Sequence, residues 1–184
     1  MSGVTLSNRR QRELIDSLRS LSQETATREG EVRSKHRGEA RAIDAWRDAV
    51  SKMPDKVYPR ERLKQLYVDN NKWSNVADLL KDQIKRTPDE DLDTNAALHW
   101  ELVELYRERL RQPGLVVTTL GGLEKLLESA GENERLLKVV EEQQNQFEAM
   151  KRWPDLIGRI RRRAELDEDM QTRKELHLQA GALF

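Results

Sequence analysis

The sequence contains no cysteine, which excludes disulfide bridges, thiolate metal sites and catalysis by a cysteine nucleophile. It has no hydrophobic run near the roughly 18 residues that a membrane helix requires, and residues 1–12 lack the hydrophobic core of a secretory signal. It also has no net charge, because 33 Lys and Arg residues balance 33 Asp and Glu residues, and this argues against a general nucleic-acid binder. These absences predict a soluble, cytoplasmic protein.

Aromatic residues are scarce as well, at 5% of 184 residues, although four of them are tryptophan. Charged residues supply 36% of the chain, against about 25% in a typical soluble domain. The long side chains of Glu, Arg, Lys, Gln and Leu lose little rotamer freedom in a helix. The composition therefore predicts an all-α protein before any motif is considered.

Apolar residues recur at helical spacing between the five prolines, which are Pro54, Pro59, Pro88, Pro113 and Pro154. The pattern predicts helices over residues 39–53, 59–71, 73–87, 92–111, 114–129, 133–150, 153–166 and 168–184. The one β-prone run, residues 115–118, directly follows Pro113 and Gly114, so we interpret it as the start of a helix. Because the links between these helices are short, neighbouring helices are expected to run antiparallel.

The first 38 residues differ from the rest of the chain. One apolar stripe, formed by Leu14, Ile15, Leu18 and Leu21, predicts a short amphipathic helix. Residues 22–38 are almost wholly polar and bury too little surface to offset the cost of ordering them. We therefore expect residues 1–38 to form an N-terminal helix with a polar linker or cap, followed by the main domain over residues 39–184.

A helix that is closed by Pro54 carries a pattern of small and aromatic residues. Ala42, Trp46 and Ala49 precede this proline, and Pro88 follows it by 34 residues. The pattern resembles the second helix of a tetratricopeptide repeat, a helix-turn-helix unit of about 34 residues. The resemblance covers residues 39–184.

A longer period relates the two halves of this region. Tyr67 and Trp73 are six residues apart, as are Phe147 and Trp153, and the two tryptophans are separated by 80 residues. Successive aromatic sites lie farther apart than the ~34 residues of the standard unit. Longer helices or turns would explain the difference, as would the related half-a-TPR type of repeat.

The resemblance implies a right-handed solenoid of antiparallel helix pairs, in which each pair covers its apolar stripe against the next. It also implies a non-enzymatic scaffold whose concave face binds a peptide or helix of another protein. The last residues of the chain include Leu178, Leu183 and Phe184, which are apolar. We expect either that the array continues past Phe184 in a longer protein or that another chain covers this end.

The sequence has no recognisable catalytic or metal-binding motif. His36, His99 and His177 are far apart, and none has a second histidine four residues away, which argues against a zinc site. A nucleophile elbow, a phosphate-binding loop and a zinc-protease motif are also missing. We therefore expect no enzyme activity, no cofactor and no metal.

The resemblance places the partner-binding face beside the aromatic sites. The candidates there are Lys64, Asn70, Trp100, Glu104, Arg107 and Gln144. Trp100 lies off the apolar stripe of its helix, so its position predicts either the most exposed aromatic side chain, and hence a contact for a partner, or partial burial between repeats. Trp46 occupies the aromatic core site of the repeat, while Trp73 and Trp153 each open a helix and fix a turn against its neighbour.

Arg159, Arg162 and Arg163, together with Arg161, form the densest charge cluster of the chain. A solvated helix face explains such a cluster most simply. The cluster also suits an acidic or phosphorylated partner, or RNA, although no aromatic residues are interleaved with the arginines.

Three functional hypotheses follow from the sequence. The first is a protein-binding scaffold within a larger assembly, with no membrane contact. The second is an RNA-associated helical repeat that uses the arginine cluster, and the third is a lid or regulatory subunit of an enzyme encoded elsewhere.

Overall fold

A computed structural model describes residues 35–183, which form eight helices and no strand. The first helix, α1, covers residues 35–52 of the described range. The others are α2 (Val57–Asp69), α3 (Trp73–Arg86), α4 (Leu92–Glu104), α5 (Pro113–Ala130), α6 (Asn133–Ala149), α7 (Trp153–Leu166) and α8 (Met170–Ala182). A π-helical segment, Leu105–Leu110, extends α4. The all-α prediction is confirmed, whereas the amphipathic helix expected around residues 14–21 lies outside the described residues.

The chain divides into two compact units between residues 66 and 67, within α2. In the first unit, Ile43 is buried, with 4% of its surface exposed. Trp46 is half-buried and packs edge-on against Tyr58, with the ring centroids 5.6 Å apart.

In the second unit, each helix packs against the helices that precede and follow it in the chain. Within the described residues, α3 contacts α4, α4 contacts α5, and the series continues in chain order to α8. Fully buried side chains occur on α3, α4, α5, α6 and α7; among them are Leu80, Val103, Leu120, Leu136 and Ile160. Each interface between consecutive helices therefore has its own buried apolar side chains.

Four turns contain a residue in the left-handed conformation: Asn71 (φ 53°), Arg111 (φ 51°), Gly131 (φ 74°) and Lys151 (φ 56°). After Asn71, Gly131 and Lys151, the next N–H donates to a carbonyl five residues back, as Lys72 does to Tyr67 at 2.8 Å. This is the Schellman arrangement that ends many helices.

A new helix begins two residues after each left-handed residue, so α3, α5 and α7 begin at residues 73, 113 and 153, in steps of 40. The helix pairs are thus longer than the ~34 residues of a standard tetratricopeptide repeat.

Helix α5 runs unbroken through Gly121 and Gly122. A Cβ atom on Gly122 would lie 3.4 Å from Nε2 of His99 on α4, whereas a Cβ atom on Gly121 would meet nothing within 4 Å. His99 is buried, and its Nδ1 lies 2.8 Å from the backbone oxygen of Asn95. Gly122 therefore marks a close approach of α4 and α5, and Gly121 faces open space.

Replacing Gly121 by alanine is expected to raise the free energy of unfolding by about 0.5–1 kcal/mol, because alanine loses less backbone entropy in a helix. Urea denaturation followed by circular dichroism measures the change. Gly122→Ala is the matched control, since it gains the same helix propensity but its methyl group must share space with His99. A G121A protein that is less stable than the wild type would contradict this placement of the helix face.

Helix α8 begins at a capped end, two residues later than the sequence predicted. The carboxylate of Asp169 accepts hydrogen bonds from the hydroxyl and the backbone N–H of Thr172, both at 2.7 Å. These two bonds, that of the hydroxyl first, lower the pKa of Asp169. Asp169 is therefore the N-cap of α8, and Met170 is its first residue.

The cap of α8 is expected to weaken in acid. Because the pKa of Asp169 is lower in the folded chain than its unfolded value of about 3.9, the cap is fully effective above that pH. It is lost as the pH falls through the folded pKa. The protection factors of the amides in the first turn of α8, which correct for the slower intrinsic exchange in acid, should then fall.

Asp169→Asn is the control for this prediction, because asparagine keeps the cap but does not titrate. Asp169→Ala should show fast exchange at every pH. If D169N kept the pH dependence of the wild type, Asp169 would not be its source.

Candidate functional site

Arg159 on α7 belongs to a hydrogen-bonded network with α5 and α6. Its guanidinium donates to the carboxylate of Glu124 at 3.1 Å and to the side-chain oxygen of Gln143 at 3.0 Å. Gln143 in turn donates to Glu124 at 2.9 Å. The exposed fractions of Gln143 and of the Glu124 side chain are 3% and 15%, so the network is largely shielded from water. Charges interact more strongly in such a shielded site than they do in water.

The other two candidate arginines of α7 are paired as well. Arg162 contacts Glu128 of α5, and Arg163 lies 3.2 Å from Glu141 of α6. Arg159 and Arg162 therefore join α7 to α5 across sequence separations of 35 and 34 residues. The arginine cluster links α7 to both α5 and α6, and much of its positive charge is neutralised by glutamates.

Glu104 and Arg107 form a similar link at the π-helical end of α4. Arg107 donates to Glu104 at 2.9 Å and also to Glu142 on α6, 35 residues away. Gln146 donates to the same Glu142 carboxylate at 2.9 Å. The structure thus brings these two candidates together, at a contact between α4 and α6.

The four remaining candidates differ in how much of their surface is exposed. Lys64 is half-buried in the first unit, and Asn70 and Trp100 are half-buried in the second. Gln144 is 7% exposed, so a partner would reach it only if the packing around it opened. Trp153, rather than Trp100, is the most accessible tryptophan, with 44% of its surface exposed.

A cleft of about 300 Å³, here named the Trp73 cleft, lies between α3 and the C-terminal half of α4. Its floor is apolar and consists of Val68, Trp73, Val76, Leu80 and Leu105. Val76, Leu80 and Leu105 are buried, whereas Val68 and Trp73 are half-exposed. The volume is at the lower end of the range for small-molecule pockets, about 300–1,000 Å³. It suits one or two side chains of a docked segment.

The rim of the Trp73 cleft is acidic. Glu101, Glu104 and Glu108 line it from α4 and its π-helical end. Arg109 is the only cation among the lining residues, and its guanidinium carbon lies 4.8 Å from the centre of the Trp73 ring. Three carboxylates and one guanidinium give the lining a formal charge of −2.

The π-helical segment builds one wall of this cleft. Such segments are rare and occur frequently at functional sites. Hydrogen bonds to Asp78 and Tyr106 raise the pKa of Lys81 on α3, and its Nζ lies 5.9 Å from the centre of the Tyr106 ring. Since Tyr106 belongs to the π-helical segment, these contacts tie the two walls of the cleft together.

Of the charged residues in the Trp73 cleft, the sequence identified only Glu104 as a candidate. Glutamates at positions 101, 104 and 108 are spaced to share one helix face, which was the signal available for Glu101 and Glu108. The stacking of Arg109 on Trp73 depends on how α4 packs against α3. Spacing along the chain does not reveal it.

A second cleft, of about 350 Å³, lies between α7 and α8. Trp153, Ile157 and Leu183 line it, together with Arg161. Trp153 opens α7 as Trp73 opens α3, 80 residues earlier. The two clefts therefore occupy matching positions in the long period of the sequence.

Comparison with known proteins gives no assignment: no protein-family model matches the chain, and no curated protein matches it in sequence.

Within residues 35–183, no group of His, Cys, Asp and Glu side chains is arranged to hold a metal ion. No helix of the same region combines the length and the apolar character needed to cross a bilayer.

Proposed function

We propose that this protein is a cytoplasmic, non-enzymatic scaffold that binds a peptide or helix of another protein. In this proposal the helices are antiparallel pairs of the tetratricopeptide type, stacked into a right-handed solenoid. The observation that carries the proposal is the packing order of the second unit. Within the described residues, the backbone of each of its helices packs closely only against its neighbours in the chain, and alternate helices meet through long charged side chains.

Two further features support the proposal. Ion pairs join alternate helices in four places, three of them at sequence separations of 34–35 residues and one, between Asp93 and Arg135, at 42, as expected when similar units follow one another. Apolar clefts lie between α3 and α4 and again between α7 and α8. Repeated clefts along a stack of helix pairs suit an extended partner that contacts several units at once.

Affinity capture tests the scaffold function. The full chain is immobilised, a nuclease-treated extract of its source cells is applied, and the retained proteins are identified by mass spectrometry. We expect at least one protein to be retained in stoichiometric amount and to cross-link to α3–α8. Retention of no protein from the nuclease-treated extract would contradict the proposal.

RNA binding through the arginine cluster of α7 is the second candidate function. The pairing of Arg159, Arg162 and Arg163 with glutamates argues against it, because a carboxylate beside each arginine repels phosphate. Binding of a labelled single-stranded RNA at several salt concentrations discriminates the two functions. Affinity that falls steeply with added salt would favour RNA, and we expect no such binding.

A further inference from the structure

We propose that the Trp73 cleft binds a segment of a partner protein that presents an arginine or lysine next to an aliphatic side chain. The inference rests on the scaffold function proposed above and adds the chemistry of the partner. Its basis is the presence of an apolar floor and an acidic rim in one cleft.

The floor of the cleft selects an aliphatic side chain. Val76 and Leu80 are buried beneath it, while Val68 and Trp73 keep part of their apolar surface accessible. A leucine or isoleucine placed there removes apolar surface from water on both partners, which favours association. A polar side chain in the same place would lose its hydration and find only apolar neighbours.

The rim of the cleft selects positive charge. Glu101, Glu104 and Glu108 are all exposed, and the lining keeps its formal charge of −2 after Arg109 is counted. Glu104 also accepts a hydrogen bond from Arg107, which reduces its own contribution. A cation beside the aliphatic anchor is attracted to this rim, whereas an acidic or phosphorylated segment or a nucleic acid is repelled.

Arg109 demonstrates within the chain that the cleft accommodates a guanidinium. Its position 4.8 Å from the centre of the Trp73 ring is within the range of a cation–π interaction. In this proposal a cation of the partner uses the ring face that Arg109 covers. Arg109 therefore competes with the partner, and its removal would expose Trp73 and change the lining charge from −2 to −3.

Two synthetic amphipathic peptides test the proposal on the full chain. They share one leucine stripe, and the residues beside it are arginine in one peptide and glutamate in the other. Fluorescence anisotropy at low and high salt gives the Kd of each. We expect the arginine peptide to bind at least about tenfold more tightly than the glutamate peptide, because the acidic rim attracts arginine and repels glutamate. Added salt should reduce the difference.

Substitutions at the rim should change the affinity in opposite directions. Glu104→Gln and Glu108→Gln are each expected to weaken binding of the arginine peptide roughly two- to fivefold, since each removes one exposed charge pair. Arg109→Ala should strengthen it. Glu148→Gln, at an exposed position on α6, is the matched control and should leave the Kd unchanged. Circular dichroism of every variant shows whether a loss of binding reflects a loss of folding.

Equal affinities for the two peptides, no binding of either, or a preference that survives the E104Q/E108Q double substitution would overturn the proposal. The capture experiment decides the scaffold function separately. If the chain retains a protein from the extract while the arginine peptide fails to bind, the partner chemistry is wrong and the scaffold function stands.

Discussion

Replacing Leu120 by alanine should lower the free energy of unfolding by about 2–5 kcal/mol, the range observed for buried leucines. Leu120 is 0% exposed on α5, which packs against both α4 and α6. The shortened side chain loses its transfer free energy and leaves a cavity that rigid neighbours fill only in part. Chemical denaturation followed by circular dichroism measures the effect.

The L120A substitution should also act unevenly along the chain. Because the backbone of each helix packs closely only against its neighbours in the chain, hydrogen exchange should accelerate most in α4, α5 and α6 and least in α8. Leu178→Ala is the control, since Leu178 is 74% exposed and its truncation should change stability by less than about 0.5 kcal/mol. Similar effects of the two substitutions would show that Leu120 is not in a packed interface.

Glu124→Ala should cost about 2 kcal/mol of stability, between the values for surface and fully buried ion pairs. The substitution leaves the guanidinium of Arg159 and the amide of Gln143 without the carboxylate to which both donate. The side chains of Arg159 and Glu124 are 30% and 15% exposed, so water compensates the loss only in part. The expected effect is therefore larger than that of an ordinary surface salt bridge.

A double-mutant cycle of Glu124→Ala and Arg159→Ala separates the pair from the rest of the network. We expect a positive coupling, with the double variant more stable than the sum of the single effects predicts. The exposed pair of Glu134 and Lys138 within α6 is the control, and its cycle should give no resolvable coupling. Additive effects at Glu124 and Arg159 would mean that the two side chains do not interact in solution.

The sequence predicted the helices well because its turns carry strong local signals. Pro113 and Pro154 occupy first turns, and Gly131 adopts the left-handed conformation that glycine favours. Helix α7 begins and ends at the predicted residues. The π-helical segment was missed, since its side chains suit an α-helix equally well and no local residue type marks the wider turn.

The candidate site was predicted less well than the helices, because it depends on contacts between distant residues. The chain has 33 acidic residues, so the partners of Arg159 and Arg162 could not be chosen before the stacking of the helices was known. The same reason applies to Arg109 and Trp73, which are far apart along the chain and meet across the Trp73 cleft.

The linear order of helix packing is tested most directly by a distance between α3 and α8. The chain contains no cysteine, so Ser74→Cys and Arg173→Cys, both at exposed positions, allow two spin labels to be attached specifically. Two interhelical spacings of about 8–10 Å each or more separate these helices in a stack, so we predict a backbone separation of at least roughly 20 Å. A separation of about 10 Å, the spacing of two helices in direct contact, would show a closed bundle and contradict the helical-repeat scaffold.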